Sequence, residues 1–182
     1  MDFTLDFCHL SESRHRDFAR DLFVSAFPPE ERYDFDLVDY RDSDVFHFFV
    51  VSGADVPLGI ISYNDFVDFI YVEHFAVHES LRGRGYGHRI ITEFFAQHGD
   101  KQVVLEVELP EDVDSRRRID FYRCQGMTLN TQCYWQPSYI EKRLVLPMCL
   151  MSRTPLDDSQ FVFCRDTIYH RVYRYEGPAM PL

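Results

Sequence analysis

No apolar run in this 182-residue chain approaches the ~20 residues that a membrane-spanning helix needs. The opening MDFTLDFCHL also lacks the basic stretch and apolar run of a secretory leader. Together these absences predict a soluble, cytoplasmic protein with no membrane partner. The five cysteines, Cys8, Cys124, Cys133, Cys149 and Cys164, contain no CxxC pair and are odd in number. Neither a disulfide framework nor a zinc site is indicated, and no metal is expected; small buried hydrophobes are the better reading. Net basic charge is missing too: at −11 and a pI near 5.1 the chain is not a general nucleic-acid binder, which needs a basic face for phosphates. No internal repeat, low-complexity tract or dividing linker occurs.

What is present suits a single folded unit, with 46% hydrophobic and 16% aromatic residues for a core. Alternation predicts a strand from Phe3 to Phe7. Phe18, Leu22, Phe23 and Ala26 then recur at helical spacing, and Pro28 and Pro29 end that helix. The segment from Pro28 to Asp44 carries seven acidic residues against two arginines, with aromatics interleaved, and reads either as solvated helix and loop or as one wall of a cleft. Val45 to Ser52, Leu58 to Phe66 and Phe69 to Val77 are three β-rich runs, the first two joined by the hairpin-like GADVP. Ile90, Ile91, Phe94 and Phe95 mark the buried face of a helix ending near Gly99. A strand over Val103 to Leu109, a helix over Ser115 to Gln125 stopped by Gly126, and strands over Met127 to Trp135 and Arg143 to Met151 follow. Phe161, Cys164, Ile168 and Val172 suggest a short helix before the EGPAMPL tail. This order predicts an α/β (α+β) fold with a mixed sheet.

The chemistry concentrates in FAVHESLRGRGYG, Phe75 to Gly87, where a strand runs through a glycine-rich loop into a helix. Such a junction aims backbone N–H groups and the positive end of a helix dipole at one point, a natural anion site. Glycine permits φ > 0 and close approach, so Gly83, Gly85 and Gly87 can form a nest of amides while Arg82 and Arg84 add charge. A tight turn with solvated arginines is the plainer alternative. A Walker A loop would need lysine and a hydroxyl after Gly87, where His88 and Arg89 stand, so a nucleotide triphosphatase is disfavoured. The dinucleotide fingerprint needs GxGxxG, and His88 occupies its third glycine position. Glu106 lies near the distance of a ribose-binding acid, which keeps a dinucleotide-binding oxidoreductase as a minor alternative.

Arg82-Gly83-Arg84-Gly85-Tyr86-Gly87 matches the R/Q-x-x-G-x-G/A signature of the GCN5-related N-acetyltransferases (GNAT), which it resembles in context as well. YVEHFAVHESLRGRGYG resembles that family's fourth strand and following loop, and LEVELPEDVDSRRRIDFYRCQGM its fifth strand and fourth helix. The resemblance covers most of residues 1 to 152, taken as the acetyltransferase domain; residues 153 to 182 are a C-terminal appendage with a short helix, part of the same domain. It implies an acyl-CoA N-acyltransferase fold whose mostly antiparallel sheet splays between the fourth and fifth strands. It also implies acetyl-CoA as co-substrate, transferring its acyl group to an amine by direct attack in a ternary complex.

By position, the resemblance assigns the backbone of Phe75, Ala76 and Val77 to the pantetheine arm and Arg82, Gly83, Arg84, Gly85, Tyr86 and Gly87 to the pyrophosphate. A fourth-strand amide would stabilise the oxyanion. Tyr122 stands where the family keeps a tyrosine that protonates the departing thiolate; packing against the sheet is the structural alternative. Ser115 replaces the family's asparagine contact to the arm, a shorter hydroxyl in its place. For the base that frees an ammonium of its proton, Glu73 is the first candidate, with Glu106 and Glu108 on one face of the fifth strand as alternatives. His74 and His78 are further candidates. The run Arg116 to Arg118 reads as solvated, or as a phosphate ligand.

The acidic segment from Glu30 to Asp44, with Asp34, Asp36 and Asp39, favours a cationic small-molecule amine as acceptor, ahead of a protein or peptide amine, with the run Tyr134 to Tyr139 as the opposite wall. Whether the protein is a homodimer is left open. A catalytically silent acyl-CoA-binding or protein-interaction module is the alternative of a different class.

Overall fold

The computed structural model describes residues 3–41, 44–140 and 145–175. The elements run β1 (Leu5–His9), α1 (Arg16–Ala26), β2 (Phe46–Gly53), β3 (Val56–Asp65), β4 (Phe69–Val77), α2 (Tyr86–Gln97), β5 (Gln102–Glu108), α3 (Val113–Cys124), β6 (Thr128–Leu129), β7 (Tyr134–Pro137), β8 (Val145–Ser152) and α4 (Asp158–Ile168). Short 3-10 helices at Pro29–Glu31 and Phe35–Tyr40 cross between α1 and β2, and a third, Glu79–Leu81, lies between β4 and α2. The strands form one sheet in the spatial order β1, β2, β3, β4, β5, β8, with β6 and β7 both pairing with β8. Every pairing is antiparallel except β4 with β5. This is the mixed, mostly antiparallel α/β sheet that the sequence predicts.

Alternation sorts the apolar residues onto two faces. On one, Ile70 and Val72 of β4 and Val103, Leu105 and Val107 of β5 pack under Ile90, Ile91 and Phe94 of α2 and Ile119 and Tyr122 of α3. The opposite face has two clusters. Leu22 and Phe23 of α1 cover Phe46, Phe48 and Val50 of β2. Phe161, Cys164 and Ile168 of α4 cover Phe69 and Tyr71 of β4 and Leu150 of β8. The four residues picked out as a C-terminal helix, Phe161, Cys164, Ile168 and Val172, are all buried in this last cluster.

The parallel pair is short. Its register runs from Phe69↔Gln102 to Val72↔Leu105 and stops. Beyond that point β4 keeps only β3 as a partner and β5 only β8, so the two strands part over Glu73–Val77 and Glu106–Glu108. A cleft opens in the middle of the sheet, with the start of α2 near one lip.

Several boundaries differ from the sequence expectation. The first strand begins at Leu5 rather than Phe3. The single strand expected over Met127 to Trp135 is two, because the four residues Asn130–Cys133 stand opposite only Cys149 and Leu150 of β8. Asn130 fills the break, donating from Nδ2 to the Leu150 carbonyl at 3.0 Å and to Ser152 Oγ at 2.9 Å while its Oδ1 accepts from the Leu156 N–H at 3.0 Å. The expected strand start at Arg143 and the EGPAMPL tail lie outside the described residues. The expected terminal helix is α4 followed by a π-helical turn, Tyr169–Tyr173.

Candidate active site at the parted strands

The glycine loop closes the lip of the cleft. Gly83 and Gly85 have φ of 73° and 81°, left-handed values that a side chain would strain, and nothing lies within 4 Å of the Cβ each lacks. Gly85 is the N-cap of α2, and no side chain caps that helix. The start of α2, with its partial positive charge, therefore faces open space beside Arg84, while Arg82 folds back so that Nε donates to the Val77 carbonyl at 3.1 Å. Gly87 serves packing, since a Cβ there would lie 3.5 Å from Phe121 and 3.6 Å from Val77. An open, amide-lined, arginine-flanked turn fits a diphosphate.

At the opposite wall β4 carries an irregularity that spacing alone does not reveal. Ser62 pairs with His74 and Tyr63 with Val72, so Glu73 has no cross-strand partner and forms a bulge. The extra residue turns Glu73 and His74 toward the same face. There the Glu73 carboxylate, with 1% of its side chain exposed, accepts from Arg41 Nη1 at 2.6 Å and Nη2 at 3.0 Å, from Asn64 Nδ2 at 2.7 Å and from the Tyr139 hydroxyl. Burial pushes its pKa up, but the opposing guanidinium beside it prevails and the net displacement is downward. Both oxygens are occupied by donors, so the carboxylate of Glu73, the first-choice base of the sequence reading, is enclosed. His74 is buried beside it, bonded to Ser62 Oγ at 3.1 Å and the Glu31 carbonyl at 3.0 Å, and burial lowers its pKa to about 4, so it is neutral.

Glu106 and Glu108 extend from β5 on the other side of the parting. Glu106 accepts from the hydroxyls of Tyr71 and Tyr173, each at 2.7 Å, from Gln136 Nε2 at 2.5 Å and from the Tyr134 hydroxyl. Burial still holds its pKa above the usual carboxylate range. Glu108 pairs through Oε1 with Arg118, while its buried Oε2 has no hydrogen-bond partner. A third carboxylate, Glu31, joins them. Its pKa is raised first by burial and then by Glu108, with Arg118 opposing, and its carboxylate makes no hydrogen bond or salt bridge to a described residue. Sequence reasoning included Glu31 only within the acidic segment; its nearness to β5 depends on the 3-10 turn Pro29–Glu31, anchored where the Tyr139 N–H donates to the Glu30 carbonyl at 3.0 Å.

Tyr122 lies in the cluster under α3, with Arg118 and Glu108 among its electrostatic neighbours, and burial raises its pKa to about 12. It is therefore a protonated donor throughout the neutral range. Among the described residues its hydroxyl makes no hydrogen bond.

Two of the expected positions are engaged in local structure. Ser115 is buried in a reciprocal capping box: its N–H donates to Asp112 Oδ1 at 2.7 Å and its Oγ accepts from the Asp112 N–H at 3.1 Å and donates to the Asp112 carbonyl at 3.2 Å. The hydroxyl is committed to starting α3. The acidic wall is likewise committed, since Asp34 caps the 3-10 helix Phe35–Tyr40, Asp36 pairs with Arg20 at 2.5 Å and Asp39 with Arg16 at 2.7 Å. Asp36 and Asp39 clasp that helix to α1. Arg116 donates to the carbonyls of Pro110 and Glu111, and so is a loop brace.

The profile of the Acetyltransferase (GNAT) family matches residues 13–127. A protein from Bacteroides thetaiotaomicron assigned to the GNAT acetyltransferases has a solved structure that is 38% identical over 93% of this chain and 98% of its own, with a TM-score of 0.83. A Bacillus subtilis acetyltransferase solved with CoA is 14% identical over 85% of this chain and 100% of its own, TM-score 0.59. A Vibrio cholerae spermidine N-acetyltransferase chimera is 14% identical over 84% and 95%, TM-score 0.61. No curated protein matches the chain.

Proposed function

Because the chain belongs to the GNAT family, and is an N-acetyltransferase that uses acetyl-CoA, we propose that it acetylates a cationic amine at the parting of β4 and β5 by direct transfer. The observation that carries this reading is the convergence, at one opening, of an uncapped, glycine-shaped helix start, a protonated tyrosine and a group of carboxylates. Sheet topology and family membership together set aside the dinucleotide-binding alternative.

In this reading Arg82 to Gly87 hold the pyrophosphate, and the unpaired edge of Phe75, Ala76 and Val77 bonds the arm. Ser115 is left out, its hydroxyl already occupied. When bound, acetyl-CoA supplies a thioester whose thiol has an ordinary pKa of about 8.5. Glu31, Glu106 and Glu108 draw in the ammonium group. Glu31 takes its proton, because it is the carboxylate without a hydrogen-bonded partner and its proton affinity is raised. The neutral nitrogen then attacks the carbonyl carbon, a β4 amide steadies the developing oxyanion, Tyr122 donates its hydroxyl proton to the sulfur as the C–S bond breaks, and the second proton that the nitrogen sheds as the amide forms returns to the Tyr122 oxygen. Glu73 keeps the wall in place through Arg41 and takes no proton.

Tyr122→Phe tests the assignment. Loss of a positioned acid lowers kcat by about 10²-fold or more while CoA affinity stays within about twofold. If thiol release from acetyl-CoA in a panel of amines is as fast in Tyr122→Phe as in the parent protein, the catalytic role of Tyr122 is refuted.

A further inference from the structure

On the α4 face lies a cavity of about 400 Å³ that the acetyl-transfer reading does not use. Its walls come from the 3-10 helix Phe35–Tyr40, the ends of β2 and β3, Tyr139 and the π-helical turn that follows α4. In a chain of net charge −11 its lining, among the described residues, contains Arg41, Arg171 and Arg174 and no acidic residue. Arg41 is neutralised by Glu73. Arg171 and Arg174 have no salt bridge to any described residue, so among the described residues nothing compensates their charge. The guanidinium of Arg171 sits 5.1 Å over the Phe66 ring, and that of Arg41 lies 3.9 Å over Phe46, both rings being part of the wall.

Two further features mark the same place. The π-helical turn is an uncommon backbone that recurs at functional sites, and here it carries both Arg171 and Tyr173 to the cavity. At its end Arg174 adopts φ 51°, a left-handed conformation that a non-glycine residue holds at a cost. A strained arginine, held beside a second arginine against aromatic walls, is costly for a structural role and suited to recognition. Guanidinium groups bind planar carboxylates through paired N–H donors, and the surrounding rings give an aromatic body a surface to stack on. Tyr40, 84% exposed, and Leu37 extend that surface at the rim.

We propose that this cavity is a second ligand site, specific for an aromatic carboxylate bound by Arg171 and Arg174. The site stands on its own lining and does not depend on which residues carry acetyl transfer. The carboxylate belongs either to the amine acceptor itself or to a separate molecule without an amine.

The test is isothermal titration of the full chain with L-phenylalanine and with 3-phenylpropionate, repeated with Arg171→Gln and Arg174→Gly. Saturable binding of either probe is expected, weakened about tenfold or more by each substitution. Glycine is at ease where φ is positive, so Arg174→Gly should be at least as resistant to urea as the parent while binding less well; this separates recognition from folding. Thiol release from acetyl-CoA with L-phenylalanine places the carboxylate on the acceptor. Binding of 3-phenylpropionate without turnover of phenylalanine places it on a separate ligand, and both outcomes support the site. The proposal is overturned if neither probe binds at millimolar concentration, if binding ignores both substitutions, or if inorganic phosphate binds as tightly as the aromatic acids. CoA titration in the same variants should be unchanged, so failure here leaves the acetyl-transfer reading testable separately.

Discussion

Removing the cation beside Glu73, by Arg41→Met, separates a buried structural anion from a catalytic base. The Glu73 side chain is 1% exposed and that of Arg41 18%. Without Arg41, the carboxylate retains only Asn64 and Tyr139 as donors. Breaking such a pair costs roughly 3–5 kcal/mol. The carboxylate has one escape, which is to protonate. For an ordinary pKa of about 4.3 that costs about 3.7 kcal/mol at pH 7 and about 1 kcal/mol at pH 5. The variant should therefore lose about 3–4 kcal/mol at pH 7, with the deficit shrinking to about 1–2 kcal/mol at pH 5. The sign follows from linkage: the parent's Glu73 pKa is depressed, so its stabilisation is present above the unfolded value and fades as pH falls through the folded one. Urea denaturation at the two pH values measures both numbers. A pH 7 deficit below about 1 kcal/mol, or one that stays constant between the two pH values, would refute the enclosed ion pair.

Other outcomes follow from the same geometry. Glu31→Gln should lower kcat/KM by about 10²-fold and remove the acidic limb of the pH–rate profile, which in the parent lies above the ordinary carboxylate range because the pKa of Glu31 is raised. Since a raised pKa opposes stability once pH exceeds it, this variant should be no less stable than the parent at pH 7. Asp36→Asn with Asp39→Asn should leave the KM for amines unchanged and cost at most about 1 kcal/mol, because the pairs with Arg20 and Arg16 are exposed; a large KM rise would restore the acidic wall as an acceptor site. The β2–β3 turn holds Ala54 and Asp55 at φ 48° and 66°, so replacing them with Asn-Gly should raise stability by about 0.5–1 kcal/mol in urea melts. Gly85→Val should weaken CoA binding, because the N-cap of α2 has φ 81° and its space is open to ligand; unchanged affinity would count against the diphosphate assignment.

The sequence resolved the site unevenly, for reasons visible in particular residues. The glycine loop was legible because its requirement is local: Gly83 and Gly85 need positive φ wherever they fold. Glu73 was legible as a residue but its enclosure was not, since its four donors come from Arg41, Asn64 and Tyr139, at separations of up to 66 positions. Ser115 resembled a ligand contact, yet Asp112 three positions earlier forms a capping box with it, a local signal that was available in the spacing.

Sequence alone determined the succession of elements, the apolar faces of α1, α2 and α4, and the glycine-shaped start of α2, because periodicity and backbone permissiveness act over a few residues. The tertiary structure decided which charges are free. It neutralised Asp36 and Asp39 against α1, enclosed Glu73, brought Glu31 within electrostatic reach of Glu108 and Glu106, and left Arg171 and Arg174 lining a cavity without an acid among the described residues. The energy of a charge depends on its partners and its distance from water, and both are set by segments far apart in the chain.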